Sequence, residues 1–430
     1  MKTKVNLFQA SMLRWRDLYP YIGVHVVQVS EPLDAARLAR TIAAELEQRG
    51  LTGLELDRRR QRYEWRGGAQ EPQLSTIPAG IDAWAAVRQE IERQLNIAFP
   101  PDGRINPFRF FAIDGDATFH LGVAYDHFIA GGDSIVRLLG GIVRRYRDAH
   151  APPVRARAPR RAPGYARLFA RQAIPFIRGL GSLAGLIARS RRAYRPRLAA
   201  PDDGRNAFTS FRLDRDEHAA LIRTAADWDV TQNDLFVAML MKAFSPLAID
   251  RRRESKRNEL AIASIVNVRR DFGRAAEDAF VPLLASFHVS HPLPDDMGLR
   301  ELVAIVHAET ERVKRRKLYL QMLLAIAIAG MQWRFLTLEQ RQRFFAKHYP
   351  VWAGTTPLNV TRLWPAADTT AAPPEYLRGG STGPLTPMVV ALTTAGEVLH
   401  VGISFRTTAF ERHAVDGVVA DILSCIRSLR

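Results

Sequence analysis

The chain has 430 residues, 47% hydrophobic and 24% charged, a globular composition with room for two or three domains and unlike that of a disordered protein. One cysteine, Cys425, excludes a disulfide framework and a cysteine-built zinc site, and suits a reducing compartment. The net charge of +17 is unevenly placed, because residues 151–200 hold twelve arginines, no lysine and no acid, and so carry +12 of it.

At the N-terminus, Arg14 and Arg16 arrive before any signal-like apolar core can form, which points to the cytoplasm. Ile22 to Val29 is a β-branched run that predicts a strand, and Pro32 and Asp34 then open a helix over Ala35 to Gln48. Short strands and loops are expected over residues 51–80, and a helix over Ile81 to Leu95. Thr118 to Ala124 predicts a buried strand after the turn at Asp114-Gly115-Asp116. It leads through Tyr125-Asp126-His127-Phe128-Ile129-Ala130-Gly131-Gly132-Asp133-Ser134 into a helix, where Ile135, Leu138, Leu139, Ile142 and Val143 fall at helical spacing. A histidine at a strand end, followed by two glycines and a helix start, suits a reaction site. The glycines admit a ligand close to the backbone, and free N–H groups face a developing negative charge.

A first lobe over residues 1–150 is followed by a boundary at 151–205, interrupted by prolines. Within that boundary Tyr165, Leu168, Phe169, Phe176, Leu180, Leu183 and Ile187 form an apolar stripe beside Arg167, Arg171, Arg178 and Arg189. One reading is peripheral contact with an anionic membrane through residues 151–200, or a landing surface for an acidic carrier protein. The other is a linker helix whose stripe packs on the body while its arginines stay solvated. No reader motif accompanies the arginines, so nucleic acid is not expected.

The second lobe, residues 206–430, begins with a strand over Ala207 to Leu213 and a helix over Asp216 to Asp227. Thr231 is the expected N-cap of the next helix. Leu260 to Asn267 and Val281 to Val289 predict strands, and Leu302 to Leu336 predicts a helix. Its apolar end, Leu318 to Leu336, contains Gln321, Gln332 and Arg334, which argues for a helix buried between elements over a membrane span. His288 and His291 share no strand face and have no third ligand nearby, so no metal is expected. Pro387 to Leu392 and Val398 to Phe405 predict a hairpin turning at Ala395-Gly396, and a helix over Arg412 to Leu429 closes the chain.

The stretch around His127 resembles the His-His-x-x-x-Asp-Gly-x-Ser motif of condensation-domain and wax-ester-synthase acyltransferases. His127 stands at the second histidine, Gly132 at the glycine and Ser134 at the serine, while Asp126 replaces the first histidine and Gly131 the aspartate. Other segments match the family's order: Gln9, Leu33-Asp34, Thr231-x-Asn233-Asp234, Val268-Arg269-Arg270-Asp271 and Asn359-Val360. The resemblance implies an α/β fold of the α+β type, made of two chloramphenicol acetyltransferase-like lobes. Each lobe is a mixed sheet flanked by helices, with an active-site tunnel between them.

It also implies acyl transfer from a thioester, on coenzyme A or an acyl-phosphopantetheine carrier, to a hydroxyl or amine of a small-molecule or lipid acceptor. No cofactor is held permanently. His127 is the implied general base, and Ser134 has no other histidine partner, so direct attack without an acyl-enzyme is expected. The N–H groups around Gly132 and Asp133 are candidates for the oxyanion, with Asp126, Gly131, Arg269 and Asn359 in support. Asp133 either pairs with Arg269 or Arg270 in place of the missing aspartate, or is only a helix N-cap while Asp271 neutralises Arg269. An open tunnel to His127 suits the enzyme. A plugged one suits a catalytically silent relative that binds a carrier protein or recruits a partner enzyme.

Overall fold

Runs of β-branched and aromatic residues build three sheets in the computed structural model, which describes residues 2–149, 164–273, 276, 279–364 and 375–429. The first large sheet has five strands in the order Tyr376–Gly380, Ile22–Val29, Phe119–Asp126, Phe108–Asp114 and Leu74–Pro78. The second has six, in the order Leu284–His291, Leu260–Asn267, Ala353–Asn359, Met388–Ala395, Val398–Arg406 and Asn206–Leu213. Both are mixed, with parallel pairs at Leu74–Pro78 beside Phe108–Asp114 and on either side of Ala353–Asn359. A small antiparallel sheet of Thr3–Lys4, Arg62–Trp65, Leu54–Asp57 and Gly103–Ile105 lies at the N-terminal end.

Strand alternation decides which residues of the motif strand Phe119–Asp126 meet which layer. Ala124 joins the core beneath helix Ala83–Leu95, with Val24, Phe111 and Leu377. Val123 and Tyr125 face the other way, into the core that takes the motif helix Gly132–Arg147. That helix buries Ile135, Leu138, Leu139, Ile142 and Val143 as their spacing predicts. At about 1.5–3 kcal/mol per side chain, this stripe contributes roughly 10 kcal/mol before chain entropy is counted. It therefore fixes the helix start beside the end of the strand.

The second sheet repeats this unit. Residues 127–131 link the motif strand to its helix, and residues 407–411 link Val398–Arg406 to helix Arg412–Arg427. Thr407 stands where the first unit has His127, so the repeat is structural and only one copy carries the histidine.

Strand Tyr376–Gly380 lies far along the chain, yet it pairs with Ile22–Val29, with Arg378 opposite His25. The first sheet is therefore not built from residues 1–150 alone. The crossing strand also packs onto the second sheet: a Cβ on Gly402 would lie 2.0 Å from the Arg378 carbonyl oxygen, so only glycine admits this approach.

Two expected elements differ. The helix expected over Leu302 to Leu336 is two helices, Leu299–Arg315 and Tyr319–Gln332, with a short 3-10 turn at Trp333–Phe335. Lys317 takes a left-handed φ of 51° at the break, and its Nζ reaches Asp271 at 2.7 Å and Gln172 at 2.9 Å. Nor is the second helix buried all round, since Met331 is 62% and Phe335, just beyond it, 88% exposed. The strand expected from Val281 starts at Leu284, because Ala279 and Val281 belong to a loop whose carbonyls receive Arg269.

Candidate functional site between the sheets

His127 follows the last residue of the motif strand, and its backbone N–H donates to the Tyr21 carbonyl at 3.2 Å. Its Nδ1 lies 3.1 Å from the Ala130 carbonyl. A carbonyl only accepts, so Nδ1 carries the proton and Nε2 keeps its lone pair. The ring stacks on Tyr21 at 5.4 Å and meets the edge of Tyr125 at 5.6 Å. Burial lowers its pKa below the ordinary histidine value, with Arg378 adding to the shift and the backbone bonds opposing it. The imidazole is neutral at pH 7, the form a base needs.

The supporting residues divide by role. Asp126 is buried and ion-paired with Arg16, whose own pKa burial lowers to about 10. Gln9 donates to the Phe128 carbonyl at 3.0 Å and ties the first helix to the motif loop. Asp133 resolves the two readings open in the sequence. Its Oδ2 lies 2.6 Å from Arg269 Nε, off the N–H axis, and its Oδ1 accepts from Arg269 Nη2 at 3.1 Å. Asp271 instead holds Lys317 and the Tyr319 hydroxyl, at 2.7 and 2.8 Å. The N-cap of the motif helix is Gly131, with φ −91° and ψ 165°, a conformation that needs no glycine.

Ser134 Oγ donates to the Ala279 carbonyl at 3.5 Å and accepts from Arg269 at 3.4 Å, so it holds the loop. Asn359 accepts from the Arg362 backbone at 3.1 Å and steadies the turn after its strand. The N–H groups of Gly132 and Asp133 lie in the first turn and have no intrahelical acceptor.

Sequence reasoning missed a second group on the same sheet face. His25 donates to or accepts from the Tyr376 hydroxyl at 2.8 Å, across 351 positions of chain. Burial, followed by Arg378 and His127, holds its pKa well below the ordinary value. Arg378 is 5% exposed, and burial lowers its pKa to about 10. A charged or polar residue amid apolar neighbours, as in Val24-His25-Val26 and Leu377-Arg378-Gly379, was the available signal. Two small cavities lie elsewhere, one near Pro196, Tyr349 and Arg406 and one near Arg14, Trp15 and Gly330. Among the described residues no three His, Cys, Asp or Glu side chains gather as a metal site.

The arginine segment divides in two. Residues 151–163 lie outside the described residues. Beyond them Tyr165 and Leu168 enter the main core, and Phe169 and Phe176 pack against it. Arg189 and Arg192 pair with Glu309 and Glu259, and Arg197 pairs with Asp250 at 3.0 Å. Outward, Ile174, Ile177, Leu180 and Ile187 are exposed, as are Ile328, Met331, Phe335 and Leu338. Helix Ala173–Leu180 packs on helix Tyr319–Gln332, where Gln321 donates to the Phe176 carbonyl at 2.9 Å. Among the described residues no single helix is long and apolar enough to cross a membrane, and one pair bent by 74° passes only jointly.

No protein-family model and no curated protein matches the chain. Solved structures do. The rhombohedral form of the EpoB cyclization-docking bidomain from Sorangium cellulosum is 11% identical with a TM-score of 0.72, over 100% of this chain and 84% of that one. The first condensation domain of the CDA synthetase is 15% identical with a TM-score of 0.66, over 99% and 95%. The epimerization domain TycB3(E) of tyrocidine synthetase B is 11% identical with a TM-score of 0.66, over 100% and 96%. The chain therefore has the two-lobed, chloramphenicol acetyltransferase-like fold of condensation domains. The fold alone does not select a reaction, since these similar proteins are cyclization, condensation and epimerization domains.

Proposed function

We propose that this chain transfers an acyl group from a thioester to a hydroxyl or amine in the cleft between its sheets, with His127 as general base. The donor is acyl-coenzyme A or an acyl-phosphopantetheine carrier, and the acceptor a small molecule or lipid. The observation that carries this reading is the Nδ1–Ala130 bond, which leaves Nε2 as the basic atom. As the acceptor oxygen or nitrogen attacks the thioester carbon, its proton passes to Nε2. The N–H groups of Gly132 and Asp133 face the tetrahedral oxyanion. Collapse then breaks the carbon–sulfur bond, and the thiolate takes the proton back from His127. The Asp133–Arg269 pair supports the loop from a position two residues beyond the expected one.

Arg167 and Arg178 make no ion pair among the described residues and lie beside the exposed isoleucines of the linker. They suit an acidic carrier or the anionic inner face of a membrane, with the protein in the cytoplasm. A second reading is a catalytically silent protein of this fold that binds a carrier protein or recruits a partner enzyme. It is favoured by Asp126 and Gly131 at two motif positions. Thioester consumption across a panel of acyl donors and acceptors separates the two. The first reading expects turnover that His127→Ala removes. The second expects carrier binding without turnover.

A further inference from the structure

We propose that the cleft beside His127 binds a carboxylate, gripped by Arg378 Nη1 next to the start of the motif helix. This names a substrate class for the site and rests on the acyl-transfer reading for its chemistry, although the binding itself does not need turnover.

Arg378 has no carboxylate partner among the described residues. Its Nε donates to Thr393 Oγ1 at 2.9 Å, and its Nη2 to the carbonyls of Thr356 and Leu392 at 2.6 and 2.9 Å. These three neutral acceptors, all on the second sheet, fix the guanidinium plane. They leave Nη1 without an acceptor and the charge without a counterion. A buried, unpaired cation is expensive, and tying two sheets together requires only neutral donors.

Nη1 faces the start of the motif helix, 3.6 Å from where a Cβ on Gly132 would sit. The N-cap of that helix, Gly131, has no side chain to cap the first turn, so the positive helix end adds to the field at the same point. The other titratable groups around this point leave the charge standing. His25 and His127 are held neutral, and Tyr125 and Tyr376 are pushed upward by burial. Asp133, the nearby carboxylate, is taken by Arg269. A Cβ at 132 would also lie 3.4 Å from His25 and 3.5 Å from Leu358, so a methyl there would occupy the approach to Nη1. Guanidinium bonds to carboxylates are charge-assisted, and so stronger than the bonds Arg378 makes to its neutral acceptors.

The test compares butyrate with butyramide, equal in shape and different in charge, at fixed ionic strength made up with chloride. Binding is read by ligand-observed NMR and by melting shift. Wild type is expected to bind butyrate at least about tenfold more tightly than butyramide. Gly132→Ala places a methyl in the space at ordinary contact distances and in helical backbone, so it should fold and lose that preference. Arg378→Gln should lose it as well; if this variant does not fold, Gly132→Ala decides. Equal binding of the two probes by wild type, or a butyrate preference that survives in Gly132→Ala, overturns the proposal. A chain inert toward thioesters that still prefers butyrate keeps this site and removes only the acyl-transfer reading. Turnover that depends on His127 with no carboxylate preference does the reverse.

Discussion

Replacing Asp133 with asparagine keeps the side chain's shape and removes the charge that faces Arg269. Both partners are less than a tenth exposed, at 7% and 8%, so solvent screens the pair little. Removing one member of a buried pair costs about 3–5 kcal/mol. Arg269 retains the carbonyls of Ala276, Ala279 and Val281, which places the expected loss near the lower end, about 3 kcal/mol. Gly131→Asp alone restores the residue that the family motif has there. Its gain as an N-cap over glycine is only a few tenths of a kcal/mol.

Against that, its Cβ would lie 3.0 Å from Asp133 Oδ1 and bring a second carboxylate to a cation already in use. A net loss of about 1–2 kcal/mol is expected, because crowding and like charge outweigh the cap. The double variant, Gly131→Asp with Asp133→Asn, moves the carboxylate back two residues and should recover at least about 1 kcal/mol relative to the sum of the singles. Urea unfolding with a common m-value reads all three variants. An Asp133→Asn loss below about 1 kcal/mol, or a Gly131→Asp variant more stable than wild type, refutes the displaced-pair account.

Acid should weaken the fold through its buried histidines. His120, His288 and His400 are pushed down to about 4 by burial, whereas each titrates near 6.5 when unfolded. Between those values the unfolded chain binds more protons, so stability falls as pH drops, by about 1.4 kcal/mol per pH unit for each group; urea titrations at pH 7 and pH 5 check this. If acyl transfer depends on neutral His127, its rate should stay level near pH 7 and fall on an acid limb below the ordinary histidine pKa, as a pH–rate profile would show. The exposed apolar face should sediment with anionic vesicles and release as salt rises. Ile177→Glu with Phe335→Glu should abolish that binding without altering the melt, and equal sedimentation of wild type and variant would remove the membrane reading.

What was legible in the sequence had local causes. The motif strand and helix, the Thr231 capping box with Asp234 and the hairpin turning at Gly396, whose φ is 59°, all follow from periodicity, caps and turn chemistry. The ordered motif matches carried the fold. The crossing strand was not legible, because five residues show no period and its pairing with Ile22–Val29 is set by tertiary packing. Without that register His25 and Arg378 remained isolated polar residues with nothing to bring them together. Asp133 stayed open between two roles because a first-turn acid satisfies the helix and an arginine equally well in sequence. The helix break at Lys317 was hidden for a similar reason: a lysine does not announce a left-handed turn, and Asp271 and Gln172 that hold it lie far off in the chain.

The central claim is that Nε2 of His127 takes the acceptor's proton. The most direct measurement is thioester consumption by wild type and His127→Ala, with the same donors and acceptors, beside a melting curve for each. The account predicts measurable wild-type turnover and a loss of about 10²–10⁴-fold in the variant, with melting temperatures close together. Turnover that survives in His127→Ala, or a wild type inert toward every donor while holding a carrier protein tightly, contradicts it.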